Sequence, residues 1–272
     1  MATASTATSG AIVAEALVLN LTPPSKIATG ICFLDHMVDQ LTSHGMLGVS
    51  LRCGVAAAGG GEGRGVGAQG WFAPLKDYAT GLADRPHDRD IVVACGAALG
   101  QALRRVVDEV AAAAVGAAEV AAGEAAAARS FAVFCSPLDE AFCEAAVTLQ
   151  PGGDALAPKI SLEPYGNYAG GGRGGQGRRW IGRYRTELTP LFWEALAGSL
   201  GCELSLTRVR GGNAHHQLES TFKAFARAFR AALDGIADGG AHGCAAPGAA
   251  PVAPAGPPRE PRRYIRIPAV HS

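Results

Sequence analysis

Two adjacent histidines and a carboxylate, His215, His216 and Glu219, stand in the run Asn213-Ala214-His215-His216-Gln217-Leu218-Glu219. On a helix His215 and Glu219 are one turn apart and project together, as two ligands of one cation would. His216 is displaced by about 100° around the same axis and addresses a different neighbour. One helix end could therefore touch two metal ions. Neutral imidazole together with carboxylate suits zinc, manganese or iron. A plainer use of the same residues is structural: Asn213 caps the helix, and Glu219 pairs with Lys223 four residues on.

The element that must carry them is an amphipathic helix. Gly211 and Gly212 precede Asn213, a favoured cap type, and Leu218, Phe222, Phe225, Phe229, Leu233 and Ile236 recur at helical steps of three and four. A shorter helix far upstream is built on Leu34, Met37, Val38 and Leu41 and stops at Gly45. Around these the spacing predicts strands over Ala11–Leu21, halted by Pro23-Pro24, and over Leu47–Leu51, where apolar and small or polar residues alternate. Ile91–Val110 reads as a helix, and Phe131–Phe134 and Phe142–Leu149 as strands around Pro137-Leu138-Asp139-Glu140-Ala141. Leu188–Leu200, with Pro190 in its first turn, reads as a helix followed by a strand over Glu203–Val209. Helix, strand and helix in Leu34–Val110 are echoed in Leu188–Ile236. The economical fold is α+β, two copies of one unit, each a sheet with helices on one face.

The boundaries implied are a first half-unit over 1–110 with a glycine-rich insertion at about 54–85, and an alanine-rich low-complexity linker over 111–128. A second half-unit follows over 129–238, with a Gly/Arg-rich insertion at about 166–182, and then a Pro/Gly/Ala-rich tail over 239–272. The 272 residues include 37 glycines, which points to segments outside any core, and the formal net charge is zero, which argues against a general polyanion partner. Seven scattered cysteines, odd in number and without a Cys-x-x-Cys pair, read as reduced thiols of an intracellular protein. No apolar run approaches the ~18 residues of a membrane span, and Met1–Gly10 lacks the arginines of a clear transit peptide.

Taken with their order, several of these runs resemble the imidazoleglycerol-phosphate dehydratase family of the plant and algal type. They are Thr29-Gly30-Ile31-Cys32-Phe33-Leu34-Asp35-His36-Met37-Val38-Asp39-Gln40-Leu41 with Ser43-His44-Gly45, Gly96-Ala97-Ala98-Leu99, Pro137-Leu138-Asp139-Glu140-Ala141, Thr186-Glu187-Leu188, and the Asn213–Glu219 run with Thr221-Phe222-Lys223-Ala224-Phe225-Ala226-Arg227-Ala228. The resemblance implies duplicated half-units of the ribosomal protein S5 domain 2-like type, assembled as a homo-oligomeric shell of 24 subunits. It implies a hydro-lyase of histidine biosynthesis that converts imidazole glycerol phosphate to imidazole acetol phosphate with two manganese ions (Mn2+) per site. By the same resemblance His36, His215, His216 and Glu219 are metal ligands, Glu219 and Lys223 are catalytic, and Gln40 and His44 bind substrate. It implies a plastid location, a cytoplasmic one being the alternative.

The sequence departs from the family pattern at several places. Where a second His-His-Thr-x-Glu-Asp ligand motif belongs stands Arg85-Pro86-His87-Asp88-Arg89-Asp90, with His87 and Asp88 as the nearest substitutes. Ser205 replaces a histidine, Ile12 and Val13 replace Glu-Thr, and Ile267-Pro268-Ala269-Val270-His271 replaces a phosphate-binding Ser-x-Lys. Two alternatives to turnover by this chain alone follow. One is a weakened paralogue that serves as a partner subunit of the shell. The other is an RNA-binding module built on Arg173, Arg178, Arg179, Arg183 and Arg185, with Trp180 and Tyr184 to stack on bases, although the formal charge makes nucleic acid the less favoured partner.

Overall fold

The computed structural model describes residues 4–56, 72–74, 88–119, 129–154, 156–166 and 177–239. In the first half β1 (Ser5–Ser9), β2 (Ile12–Asn20), β3 (Lys26–Ala28), α1 (Cys32–His44), β4 (Gly48–Ala56), β5 (Phe72–Pro74) and α2 (Asp88–Glu119) follow one another. The second half runs β6 (Ser130–Leu138), β7 (Ala141–Leu149), β8 (Lys159–Ser161), the small pair β9 (Trp180–Ile181) and β10 (Tyr184–Arg185), α3 (Thr189–Leu200), β11 (Glu203–Arg210) and α4 (Ala214–Ala237).

The two halves share one topology. Their sheets are ordered β1-β2-β4-β3, with β5 added to β4, and β6-β7-β11-β8. In each, the first three strands are antiparallel and the fourth runs parallel to its neighbour, with Ile27 opposite Leu51 and Ile160 opposite Leu206. Lys26-Ile27-Ala28 and Lys159-Ile160-Ser161 are thus the same strand in two copies, too short to signal a repeat by themselves.

Several elements exceed the sequence expectation. β1 occupies the Ser/Thr/Ala-rich start, where Ser5 and Ala7 are buried; small residues fill an inner face without supplying an apolar pattern. β4 continues through Ala56 and β5 lies within the stretch expected as an insertion. α2 begins at Asp88 and runs on through Glu119, past the expected linker boundary, because alanine supports helix where no core face demands it. β6 and β7 pair up to Leu138 opposite Ala141, so Asp139 and Glu140 alone make the turn. Asp139 takes a positive φ of 48°, a left-handed conformation that aspartate tolerates. The Gly/Pro/Ala-rich tail from residue 240 lies outside the described residues.

The helices exchange partners between the halves. α2 lies on β1 and β2 and α4 on β6 and β7, whereas α1 packs against α4 and α3 against α2. One contiguous buried cluster results, in which Trp193 of α3 meets Phe222 and Phe225 of α4 at ring-centroid separations of 4.5 and 5.0 Å. The α2–α3 contact is backbone against backbone. A Cβ on Gly96 would lie 2.6 Å from the Phe192 carbonyl oxygen, and one on Gly100 closer still to that of Leu196. Gly100→Ala is therefore expected to cost about 1–3 kcal/mol through overpacking, although alanine is the better helix former. A denaturation midpoint lowered at unchanged slope would show it.

Candidate metal centre

The start of α4 is fixed by its own sequence. The Asn213 side chain accepts a hydrogen bond from the His215 backbone N–H at 2.9 Å. Gln217, fully buried, donates to the Leu162 carbonyl and accepts from the Gly166 N–H, which ties the chain after β8 to this turn. α1 lies alongside and brings in His36. The Nε2 atoms of His36 and His215 converge on one oxygen, Glu219 Oε2, at 3.4 and 3.1 Å. These three side chains present ligand atoms that all lie within 4.8 Å of one another. Both imidazoles are 40% exposed and the Glu219 side chain 13%, so the group opens outward from a sheltered carboxylate.

Lys223, one turn further along α4, reaches the other oxygen, Glu219 Oε1, at 2.7 Å. Burial pushes the Glu219 carboxyl up, but the hydrogen bond and charge of Lys223, then those of His36, outweigh it and hold it below the usual value. His44 at the end of α1 is lowered from 6.5 by burial, then by the charges of Lys223 and Arg227. Folded, His44 therefore binds fewer protons than unfolded just below that pH. Its contribution to stability is complete above about pH 6.5 and is lost as pH falls through the folded value. His44→Gln is expected to flatten this part of the stability profile, measured by denaturant unfolding between pH 5 and 8.

His216 turns the other way. Its Nδ1 lies 2.9 Å from Glu140 Oε2 and its Nε2 3.5 Å from Asp139 Oδ2. Glu140 also accepts the backbone N–H groups of Gly212 and Asn213 at 3.2 and 2.7 Å. The hydrogen bond from His216, then that from Asn213, holds its carboxyl down at about 2. Asp139, Glu140 and His216 form a second group with ligand atoms within 4.8 Å. The tight β6–β7 turn aims both carboxylates at α4, a role that the motif Pro137-Leu138-Asp139-Glu140-Ala141 did not disclose.

Gln40 is half-buried on α1 between His36 and His44. Asp88 opens α2 and lines a cleft of about 380 Å3 beside His36, together with Phe33, Ile181, Arg183 and Tyr184. Phe33 stands edge-on to His215 at 5.2 Å and packs on Tyr184 at 5.2 Å. Tyr184 is buried, with its hydroxyl 3.1 Å from Thr189 Oγ1, and so is not available to stack on a base. The Arg185 guanidinium covers Trp180 at 5.7 Å and pairs with Glu187. These contacts correct the RNA-binding expectation for Tyr184; Arg173 lies outside the described residues, as do Arg85, Pro86, His87 and Ile267–His271. Ser205 is half-buried on β11, and Ile12 and Val13 are buried in β2. Cys53, Cys95, Cys143 and Cys202 are buried, Cys32 is exposed and Cys135 half-buried, all as free thiols. Among the described residues no helix is long and apolar enough to cross a membrane.

A family model described as imidazoleglycerol-phosphate dehydratase matches residues 87–229. Imidazoleglycerol-phosphate dehydratase 1, chloroplastic, of Triticum aestivum is 31% identical over 212 residues, 77% of this chain and 57% of the wheat protein. The chain thus spans little more than half the length of that relative. Imidazoleglycerol-phosphate dehydratase of Prochlorococcus marinus (strain MIT 9313) is 31% identical over 205 residues, 75% of this chain and 70% of its own. Among solved structures, the dehydratase of Pyrococcus furiosus in complex with (S)-C348 superposes with a TM-score of 0.54 at 15% identity, covering 84% of this chain and 92% of that one. The Staphylococcus aureus subsp. aureus N315 enzyme gives 0.50 at 19% identity, over 85% and 98%. At such identities the two structures establish the shared α+β fold.

Proposed function

The chain belongs to the imidazoleglycerol-phosphate dehydratase family, and from that premise we propose that it is a hydro-lyase of histidine biosynthesis acting at the group of His36, His215 and Glu219. The reaction removes water from imidazole glycerol phosphate and yields imidazole acetol phosphate. The observation that carries the reading is the meeting of two imidazole Nε2 atoms on one carboxylate oxygen across two helices.

That donor set fits a divalent transition metal: two imidazole nitrogens and one carboxylate oxygen, close enough to share an ion. Manganese, two ions per site, is the proposed cofactor, with His36, His215 and Glu219 as one set of ligands. His216, with Asp139 and Glu140 beside it, supports a second position. A divalent cation held there would draw electron density from the substrate ring and so make the adjoining C–H acidic.

The chain's own residues supply the remainder. Phe33, edge-on to His215, limits how that imidazole can turn. Lys223 favours the ionised form of Glu219; in this proposal the carboxylate takes the proton and the Lys223 ammonium donates to the departing hydroxyl. Gln40 and His44 extend the site along α1. Assembly into a 24-subunit shell and a plastid location belong to the same proposal, the latter suggested by the chloroplastic name of the wheat relative.

Metal analysis of the purified full chain, combined with a dehydration assay, tests the proposal. About two transition-metal ions per chain with turnover is the expected result, and a metal-free chain without turnover would refute it. A second reading rests on Arg85-Pro86-His87-Asp88-Arg89-Asp90, where two arginines and a proline occupy positions at which the family resemblance calls for ligands. In that case the chain lends its His215–Glu219 half to an active partner subunit. Activity that appears only on mixing with an active homologue would select it.

A further inference from the structure

His36 and His215 reach Glu219 through Nε2, whereas His216 is held through the other nitrogen of its ring. Its Nδ1 lies 2.9 Å from Glu140 Oε2, and its Nε2 lies 3.5 Å from Asp139 Oδ2. Both acids come from the turn between β6 and β7, yet they stand differently to the imidazole. Both oxygens of Glu140 are engaged. Oε1 accepts the backbone N–H groups of Gly212 and Asn213 at 3.2 and 2.7 Å, and Oε2 faces the ring. With its carboxyl held down at about 2, by the hydrogen bond from His216 and then that from Asn213, Glu140 is an acceptor only near neutral pH.

An ionised carboxylate has no hydrogen to give, so the hydrogen in the 2.9 Å contact belongs to His216 Nδ1. In the neutral ring that leaves a bare lone pair on Nε2. Nε2 then stands opposite a second acceptor, Asp139 Oδ2. Two acceptors placed so repel each other unless something positive lies between them. Their separation of 3.5 Å is long for a hydrogen bond. It is close to the ~3.0–3.5 Å between two donor atoms that share one cation through bonds of about 2.1 Å.

We propose that Glu140 is a positioning residue: it holds the hydrogen of His216 on Nδ1, keeps Nε2 and Asp139 Oδ2 as the donor pair for the second cation, and itself bonds no metal. The inference rests on the function proposed above only in taking that cation to be a metal; where the proton sits does not depend on it. The group of Asp139, Glu140 and His216 thereby divides into two ligands and one orienting acid. The bonds to Gly212 and Asn213 give Glu140 a second hold, at the start of α4. The ring is thus fixed to the helix and to the β6–β7 turn at once, as an outer carboxylate fixes a metal-bound imidazole.

The test is nitrogen-15 NMR of the histidine rings in the metal-free full chain, with the pH raised until the rings are neutral. A His216→Gln variant identifies the His216 signals. The parent chain is expected to carry that proton on Nδ1. Glu140→Gln is expected to move it to Nε2: the backbone N–H groups claim the glutamine oxygen, and its NH2 is left facing Nδ1, which must then accept. Asp139→Asn is expected to leave the proton where it is. Manganese titration reads the consequence, with one binding event weakened about tenfold or more in Glu140→Gln and the other unchanged. A parent proton on Nε2, which needs no variant to observe, overturns the proposal, and so does a proton that stays on Nδ1 in Glu140→Gln. If the proton sits on Nδ1 and moves in Glu140→Gln while no manganese binds, the positioning role stands and the metal reading falls. If two manganese ions bind and Glu140→Gln alters neither the proton nor the affinity, the reverse holds.

Discussion

Glu219→Gln is expected to weaken manganese or zinc binding by at least about 100-fold, ~2.7 kcal/mol. Among the described residues Glu219 is the one acid bonded to both His36 and His215, and its two oxygens are divided between those imidazoles and Lys223. Glutamine keeps the shape and removes the charge. It also leaves the Lys223 ammonium directed at a neutral amide, so a cation entering the site meets an uncompensated positive group. Competition against a chromophoric chelator measures the loss. A change below about threefold would mean that the three side chains are an ordinary ion-paired cluster.

Gln217→Ala should be the most damaging single change to the support of the site. The side chain is fully buried and satisfies two backbone groups, the carbonyl of Leu162 and the N–H of Gly166. Its removal strands both, at about 1–3 kcal/mol each, for a total loss of roughly 2–6 kcal/mol. The denaturation midpoint should fall at unchanged slope. Because Gln217 lies between His216 and Leu218, the second group of Asp139, Glu140 and His216 should loosen as well. A stability loss under about 1 kcal/mol would show that water takes over both bonds.

How much of this could be read beforehand depended on whether the signal was local. α4 was legible because its apolar stripe, its cap at Asn213 and the one-turn spacing of His215 and Glu219 all lie within one stretch of chain. The contact of His36 with Glu219 spans 183 residues of sequence, and no periodicity encodes it; His36 entered through family resemblance alone. Asp139 and Glu140 stood between two expected strands, and they make the turn that joins them. Their approach to His216 depends on how the β6–β7 hairpin lies against α4. β1 and β3 escaped notice because small or few residues cannot produce a strand pattern, although pairing partners make them strands all the same.

The crossed helix pairing also has a consequence for inheritance of function. Each half lends one helix to the other's partner, so neither copy of the repeat owns the reactive group. His36 comes from the first and His215 with Glu219 from the second. Mutations in the two copies are therefore constrained jointly: a drift in one half that tilts α1 must be answered in the other by α4, or the ligands part. A gene encoding either half alone would carry the shape of a domain without the complete His36–His215–Glu219 group.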